Sequence, residues 1–432
     1  MRKFLKALTI YLLCSQFYLH AQVTVDLINE NSIRETINIL ASDSLKGRGP
    51  WTPELFKAAD FIGSKFRKAG LYPLTGNTGF YFPFSPYDSN TKLVDDELVW
   101  NDKVKPSAEF NYFPRDPGVH SPRNLKHFTV IKLDSSFTTD ILWGHLQDTT
   151  PLMLWTDKLQ SDGKNYFPPK ITFPPMGLFR EILLVYSESP ATSLTINSSP
   201  VYFKEIGYNM VGMLPGRSKP DEVIIFSAHY DHVGLDSTGK GDNIFNGAND
   251  NASGTAALIA LAEYFGWKGD NERTIMFCAF SAEELGLLGS ASFVQHIVPE
   301  KIVAVINIEM IGVPQFGPGR IFFTGANYSN MPRLLDKPLV AAGLRITREP
   351  TEALGLFERS DNFPFAKLGV PAHTIMSSDD ADKCYHQTCD ETSRIDVKHM
   401  TKVIRAIALG TQALIDGAIT PKRIKAKLDG RY

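Results

Sequence analysis

The sequence has no surplus of positive charge: 45 Lys and Arg stand against 47 Asp and Glu, a formal net charge of −2. Such a balance excludes a nucleic-acid partner recruited by bulk charge. Beyond the first segment, no apolar run approaches the roughly 18 residues needed to span a membrane. Only 4 of 432 residues are cysteine, which excludes a small disulfide-dense scaffold. There is no Gly-X-Ser-X-Gly elbow, and none of the 10 histidines lies in His-Glu-X-X-His. No internal repeat is found. What remains is ordinary globular composition, 43% hydrophobic and 21% charged. That excludes a disordered, collagen-like or coiled-coil chain. At about 150 residues per domain, the length implies two to three domains.

The first segment has the makings of a signal peptide, residues 1–21. Arg2, Lys3 and Lys6 precede the apolar core Ala7 to Leu13, and Ala21 before Gln22 is a cleavage point. Leu19 is larger than the small residue usual two positions earlier, and a short amphipathic helix is the alternative. Cys14 raises a lipid anchor, against which Leu13 is bulkier than such sites usually carry. The expectation is an exported protein, periplasmic or secreted, with no stable membrane span after cleavage. Cys278, within TIMFCAF, reads as a buried small hydrophobe. Cys384 and Cys389 lie in a polar loop; they close a small ring in an oxidising compartment or stay as two free thiols.

Three zones follow the leader. Residues 22–90 begin with helical periodicity: Ile33, Ile37 and Leu40, then Phe56, Ala59, Phe61, Ile62, Phe66 and Ala69, closed by Gly70. Residues 91–200 are rich in proline and aromatics, with strand-like runs HFTVIKL, PLMLW and EILLVY, and read as a β-rich insert. Residues 201–432 alternate strands and helices. Strands are expected at 223–228, 274–282, 302–310, 321–325 and 370–376, and helices at 251–265, 285–297, 332–342 and 397–415. Continuous apolar strands separated by helices imply an α/β fold, a mainly parallel mixed sheet covered on both faces. Sheets of this kind bind ligands beyond the carboxyl ends of their strands.

The polar residues fall at those ends. His229 and Asp231 follow the first apolar strand, Glu283 and Glu284 the second, and Glu309 closes the third. Asp379, Asp380, Asp382 and His386 follow the strand VPAHTIM, and Asp250 lies in the loop NGANDN before an Ala-rich helix. Singly, each has an ordinary explanation: an Asp-Asn turn caps a helix, and a Glu pair at a helix start answers the helix dipole. Glu309 in an apolar strand is odder, because burying a lone carboxylate is costly. Together, two imidazoles and three carboxylates exceed the needs of one ion. They suit two divalent metals sharing one carboxylate, with an adjacent free carboxylate as proton acceptor. The pair Glu283 and Glu284 offers one base and one ligand.

SAHYDHVG, NGANDNASGTAALIALAEYF, FSAEELGLLGS, NIEMIG, SDNFPFAKLGVP and CYHQTCDE, in this order, resemble the M28 family of zinc metallopeptidases, which includes secreted bacterial aminopeptidases. The likeness runs over 205–415, and LASDSLKGRG and AADFIGSKFRKAGLYP extend it to residues 36–90. It implies a zinc-exopeptidase-like fold and two Zn2+ per chain. One zinc falls to His229, Asp250 and Glu309, the second to the bridging Asp250 with Glu284 and His386. It makes Glu283 the general base, Asp231 the residue orienting His229, and Tyr385 the group that steadies the oxyanion. Cys384 and Cys389 match a disulfide of some secreted members. Residues 201–432 become the di-zinc core and residues 22–90 its N-terminal helical part. The insert sits where many relatives carry a protease-associated domain, without matching that module. Glu309 stands where most members have Asp.

The implied function is an exported aminopeptidase acting on peptides with a free N-terminus. Two alternatives stay open: a glutaminyl cyclase on the same scaffold, which typically uses one zinc, and a non-catalytic binding ectodomain. Phe357, Phe363 and Phe365 are candidates for an apolar specificity wall, with core packing as the plainer reading. Side-chain specificity, endo- or dipeptidase action and oligomeric state have no signature in the sequence.

Overall fold

Strands that are apolar along their whole length need cover on both faces, and these strands receive it. The computed structural model of the protein describes residues 26–77, 79–85, 90–105, 110–113, 123–132, 150–157, 182–203, 206–236, 241–350, 354–425 and 428. The leader expected at 1–21, with Cys14, lies outside the described residues. The chain divides into two units, one formed by residues 1–84 with 206–432 and the other by 85–205.

The first unit is built on a nine-stranded sheet. Its main strands are β1 (Gly207–Leu214), β2 (Lys219–His229), β3 (Arg273–Phe280), β4 (Ile302–Ile308), β5 (Arg320–Phe323) and β6 (Ala372–Met376). The order across the sheet is Tyr72–Pro73, β1, β3, β2, β4, β6, β5, Arg345–Ile346, and Tyr81–Phe84 pairs with β1. The central four strands, β3, β2, β4 and β6, are parallel. β1 and β5 run antiparallel to their inner neighbours. His229 is in register with Phe280, and Ile308 with Ile375, so the carboxyl ends of the four parallel strands form one rim.

The helices are α1 (Glu30–Leu40), α2 (Pro53–Lys68), α3 (Gly254–Lys268), α4 (Leu288–Phe293), α5 (Met331–Ala341), α6 (Asn362–Lys367) and α7 (Val397–Gly410). Side chains alternate across the sheet. Ile224, Phe226 and Ala228 of β2 join α1, α2, α3 and α7 in one core, while Val223 and Ile225 join α6 in a second. α3 is apolar on every side and buried along almost its whole length, as a helix wedged between sheet and helices must be. Asn29 and Thr52 cap α1 and α2 through side-chain oxygens, and Pro53 opens α2. Cys278, Phe357, Phe363 and Phe365 all lie in the second core, so the three phenylalanines serve packing.

Three expected helices change their bounds by three residues or more. α3 begins at Gly254 instead of 251, because residues 248–253 form a separate wide turn carrying Asp250. The helix expected at 285–297 is shorter: α4 spans 288–293 and a 3-10 turn follows. The last helix breaks at Thr411, between Gly410 and a short helix at 412–415.

The second unit holds two four-stranded sheets. Leu98, Trp100, Phe110, Met153, Trp155, Leu183, Val185, Leu194 and Ile196 pack into its own core. Among the described residues of both units, no helix is long and apolar enough to cross a membrane.

Candidate active site

β2 ends at His229, and its exit, Tyr230-Asp231-His232, is fully buried. His229 Nδ1 lies 3.2 Å from the main-chain oxygen of Asp231, which turns Nε2 toward the rim. Its contact is with that carbonyl, since the Asp231 carboxylate is 3.9 Å away. The Asp231 carboxylate instead accepts the backbone N–H groups of Glu283 and Glu284, at 3.2 and 3.3 Å. It thereby ties the exit of β3 to that of β2.

Asp250 is delivered by the turn before α3. Asp390 accepts the N–H groups of Asn249 and Asp250, each at 3.0 Å, and so holds this turn. Gly247, which begins it, has φ +58°, and a Cβ there would stand 2.4 Å from the His232 ring. Gly254 has no room either, its Cβ position being 2.2 Å from Ile308 O.

Each oxygen of Asp250 addresses a different group. Oδ1 is 3.4 Å from His229 Nε2, and Oδ2 is 3.2 Å from His386 Nε2. His386 Nε2 is also 3.0 Å from Glu284 Oε2. His229, Asp250 and Glu309 each bring one donor atom within 4.8 Å of the others, and so do His232, Asp250, Glu284 and His386. Glu309 is fixed by a hydrogen bond from Ser360. Glu283 joins neither group; its Oε2 lies 3.9 Å from His229 Nε2. His386 sits with Tyr385 in a loop closed by a disulfide between Cys384 and Cys389. The two rings stack with centroids 3.9 Å apart. Asp250, Glu283, Glu309, Leu356, Met376, Arg359, Asp380 and Tyr385 line one cleft. Arg359 pairs with Asp380 at 2.5 Å and reaches Tyr385 Oη at 3.4 Å.

Burial and neighbouring charge shift several of these groups. Burial pushes the carboxyls of Asp231 and Glu309 up to about 7 and that of Glu283 well above its ordinary range. Glu284 goes the other way, to about 2: burial and Asp250 raise it, but the imidazoles of His232 and His386 prevail. Burial opposes a charge on His386, yet Asp250 and Glu284 drive its pKa to about 10. Below the cluster Arg48 is wholly buried, and burial lowers its pKa to about 10. It donates to the carbonyls of Leu40, Tyr230, Asn246 and Gly247.

Protons on the imidazoles are one way to balance these carboxylates; divalent cations are the other. The Nε2 atoms of His229 and His386 are buried with no hydrogen-bond partner among the described residues. Donor atoms around a tetrahedral zinc, bonded at about 2.0–2.1 Å, lie roughly 3.3 Å apart. The pairs at 3.4, 3.2 and 3.0 Å fit that spacing, with Asp250 shared. The residues therefore fit two zinc ions.

The eight residues given roles by the resemblance, His229, Asp231, Asp250, Glu283, Glu284, Glu309, Tyr385 and His386, come to this rim; of the other acids after VPAHTIM, Asp380 lines the cleft, whereas Asp379 accepts from Gln315 and Asp382 from Arg394. Sequence reasoning missed His232, Arg48, Ser360 and Asp390. His232 follows Asp231 directly, and Asp390 follows Cys389, so motif position was the available signal. Arg48 lies within LKGRG and had none beyond it.

Fold and site define a class: an α/β protein with a zinc-exopeptidase-like sheet and a metal-competent rim of imidazoles and carboxylates. Residues 209–410 match the model of peptidase family M28. An aminopeptidase of Pseudomonas aeruginosa is 29% identical over 240 residues, 49% of this chain and 42% of the relative. Leupeptin-inactivating enzyme 1 of Streptomyces exfoliatus is 30% identical over 245 residues, half of each chain. The chain thus spans about half the length of the curated relatives it matches. In fold it is similar to an aminopeptidase from Aneurinibacillus sp. strain AM-1, with TM-score 0.59, 16% identity and coverage of 95% of this chain and 98% of that one. It is also similar to a zinc aminopeptidase from Bacillus subtilis, with TM-score 0.58, 16% identity and coverage of 90% and 95%.

Proposed function

We propose that the protein is an exported aminopeptidase that uses two zinc ions to remove N-terminal residues from peptides. The observation that carries this reading is the split address of Asp250, one oxygen to each donor group, with Glu283 beside them in neither. His229, Asp250 and Glu309 would hold one zinc, and Asp250, Glu284 and His386 the other. Zinc in these positions supplies Lewis acidity toward the scissile carbonyl and toward water.

The chain's own groups do the rest. Glu283 takes a proton from water at its carboxylate and gives it to the leaving amine. Its position in the cleft, facing His229, supports that role. Tyr385 Oη donates to the oxygen that gains charge as the carbonyl is attacked. Glu283 and Glu309 offer carboxylates to the substrate's free amine. Leu356 and Met376 give the cleft an apolar side. Export rests on the leader composition and on the disulfide, which persists in oxidising compartments. Residues 91–200 are proposed as an insert in the peptidase.

The test is to incubate purified protein with one peptide beginning with Leu and another with Gln and to follow mass. Glu283→Ala and a chelator are the controls. Stepwise loss of N-terminal residues, stopped by both controls, is the expected result. Ammonia loss from the Gln peptide alone would make the protein a cyclase, and internal cuts would remove the free-amine requirement. A protein that binds zinc and changes neither peptide would be a binding ectodomain.

A further inference from the structure

We propose that His232 is a positioning residue that decides which of two adjacent glutamates serves as the zinc ligand, an inference that rests on the two-zinc reading. Glu283 and Glu284 are successive residues, and the Asp231 carboxylate holds both backbone N–H groups at nearly equal distances, 3.2 and 3.3 Å. The backbone clamp does not distinguish them. The side chains do. His232 Nδ1 lies 2.7 Å from Glu284 Oε1, while Glu283 has its closest imidazole at 3.9 Å.

The 2.7 Å separation identifies the contact. Two ligands of one tetrahedral zinc stand roughly 3.3 Å apart. The His386 pairs at 3.0 and 3.2 Å and the His229 pair at 3.4 Å are close to that spacing. At 2.7 Å the geometry is that of a hydrogen bond, and His232 Nδ1 is 3.8 Å from Asp250 Oδ2, too far for a shared shell. The imidazole therefore donates from Nδ1 to Oε1 and leaves Oε2, 3.0 Å from His386 Nε2, for the cation. Groups that fix a metal-binding side chain in this way commonly matter 10–100-fold for affinity.

The ring has little freedom to do anything else. It is fully buried, and its backbone N–H donates to Arg48 O at 3.2 Å. Its face meets the His386 ring edge-on, centroids 5.5 Å apart. Gly247 admits it only because it carries no Cβ, which would stand 2.4 Å from the ring. A side chain so confined transmits its position to Glu284.

The experiment is a zinc titration of the metal-stripped full-length chain against a chromophoric chelator. Parent, His232→Ala, His232→Leu and His232→Asn are compared, with His386→Ala as the standard for loss of a ligand. Unfolding midpoints of the stripped proteins show which variants fold, and Leu replaces Ala in the comparison if Ala does not. We expect Ala and Leu to weaken one of two zinc ions by about 10–100-fold and leave the other unchanged. Asn, whose amide nitrogen stands where Nδ1 stood, recovers most of that loss. Parent affinity in Ala and Leu would overturn the assignment, as would an Asn variant no better than they are. Losses equal to that of His386→Ala would make His232 a ligand. A parent that takes up no zinc would overturn the two-zinc reading itself, whereas unaffected variants of a parent that binds two would overturn only the role of His232.

Discussion

Arg48 is the least expected residue of the site. A fully buried guanidinium normally faces a carboxylate; this one spends its donors on four carbonyls from three separate stretches of chain. Its charge still acts on Asp231, Asp250, Asp390 and Glu284. Arg48→Met should cost about 3–5 kcal/mol in denaturant unfolding, because carbonyls are stranded and buried anions lose their cation. Arg48→Lys should recover only part, since an ammonium lacks the planar fork that spans several carbonyls. Tyr385 makes a different prediction. On the role proposed for it, Tyr385→Phe should lower kcat by about 10²-fold with zinc content unchanged, since a hydroxyl of that kind acts only on charge that develops during reaction. Steady-state kinetics with metal analysis on the same samples checks it.

At the scale of elements, the loop 384–390 carries unusual responsibility. Its disulfide closes around Tyr385 and His386, His386 sits at φ +52°, and Asp390 holds the Asp250 turn. Asp390→Ala should destabilise by about 1–3 kcal/mol, leaving two buried N–H groups unpaired, and should weaken zinc binding as the Asp250 turn relaxes. Calorimetry and the chelator titration read the two effects separately. Elements of this sort also mark the limit of sequence reading. Apolar runs located the parallel strands, and strand exits located their acids and imidazoles, because both follow from short-range pattern. The start of α3 was misplaced because the turn at 248–253 is wound around Asp250 by contacts from Asp390, 140 residues away. Three of the four carbonyls that Arg48 binds are 182–199 residues distant, contacts with no local signature. Asp231 belonged to the motif as the residue orienting His229; that its carbonyl faces Nδ1 while its carboxylate also accepts from the β3 exit is a division only three dimensions disclose.

The whole molecule should show a pH dependence unrelated to catalysis. His373 on β6 is buried between Thr324 O, 2.9 Å from Nδ1, and Ser329 Oγ, 2.7 Å from Nε2. Burial lowers its pKa from 6.5 to about 4. The unfolded chain binds this proton more readily, so the contribution to stability is complete above pH 6.5 and is lost as pH falls from 6.5 toward 4. The loss amounts to about 3 kcal/mol. Stability measured at pH 7 and pH 5 should therefore fall more in the parent than in His373→Gln; equal slopes would dismiss the account.

The rim gathers its members from far apart in the chain. His229 is made before the midpoint of synthesis is long past, but His386 and Asp390 leave the ribosome only after some 150 further residues. A growing chain that already displays His229, Asp250 and Glu284 lacks both the partner imidazole and the brace on the Asp250 turn. The second zinc position proposed above is thus completed only when residues 386–390 have been made, and a chain that stops short of them lacks it.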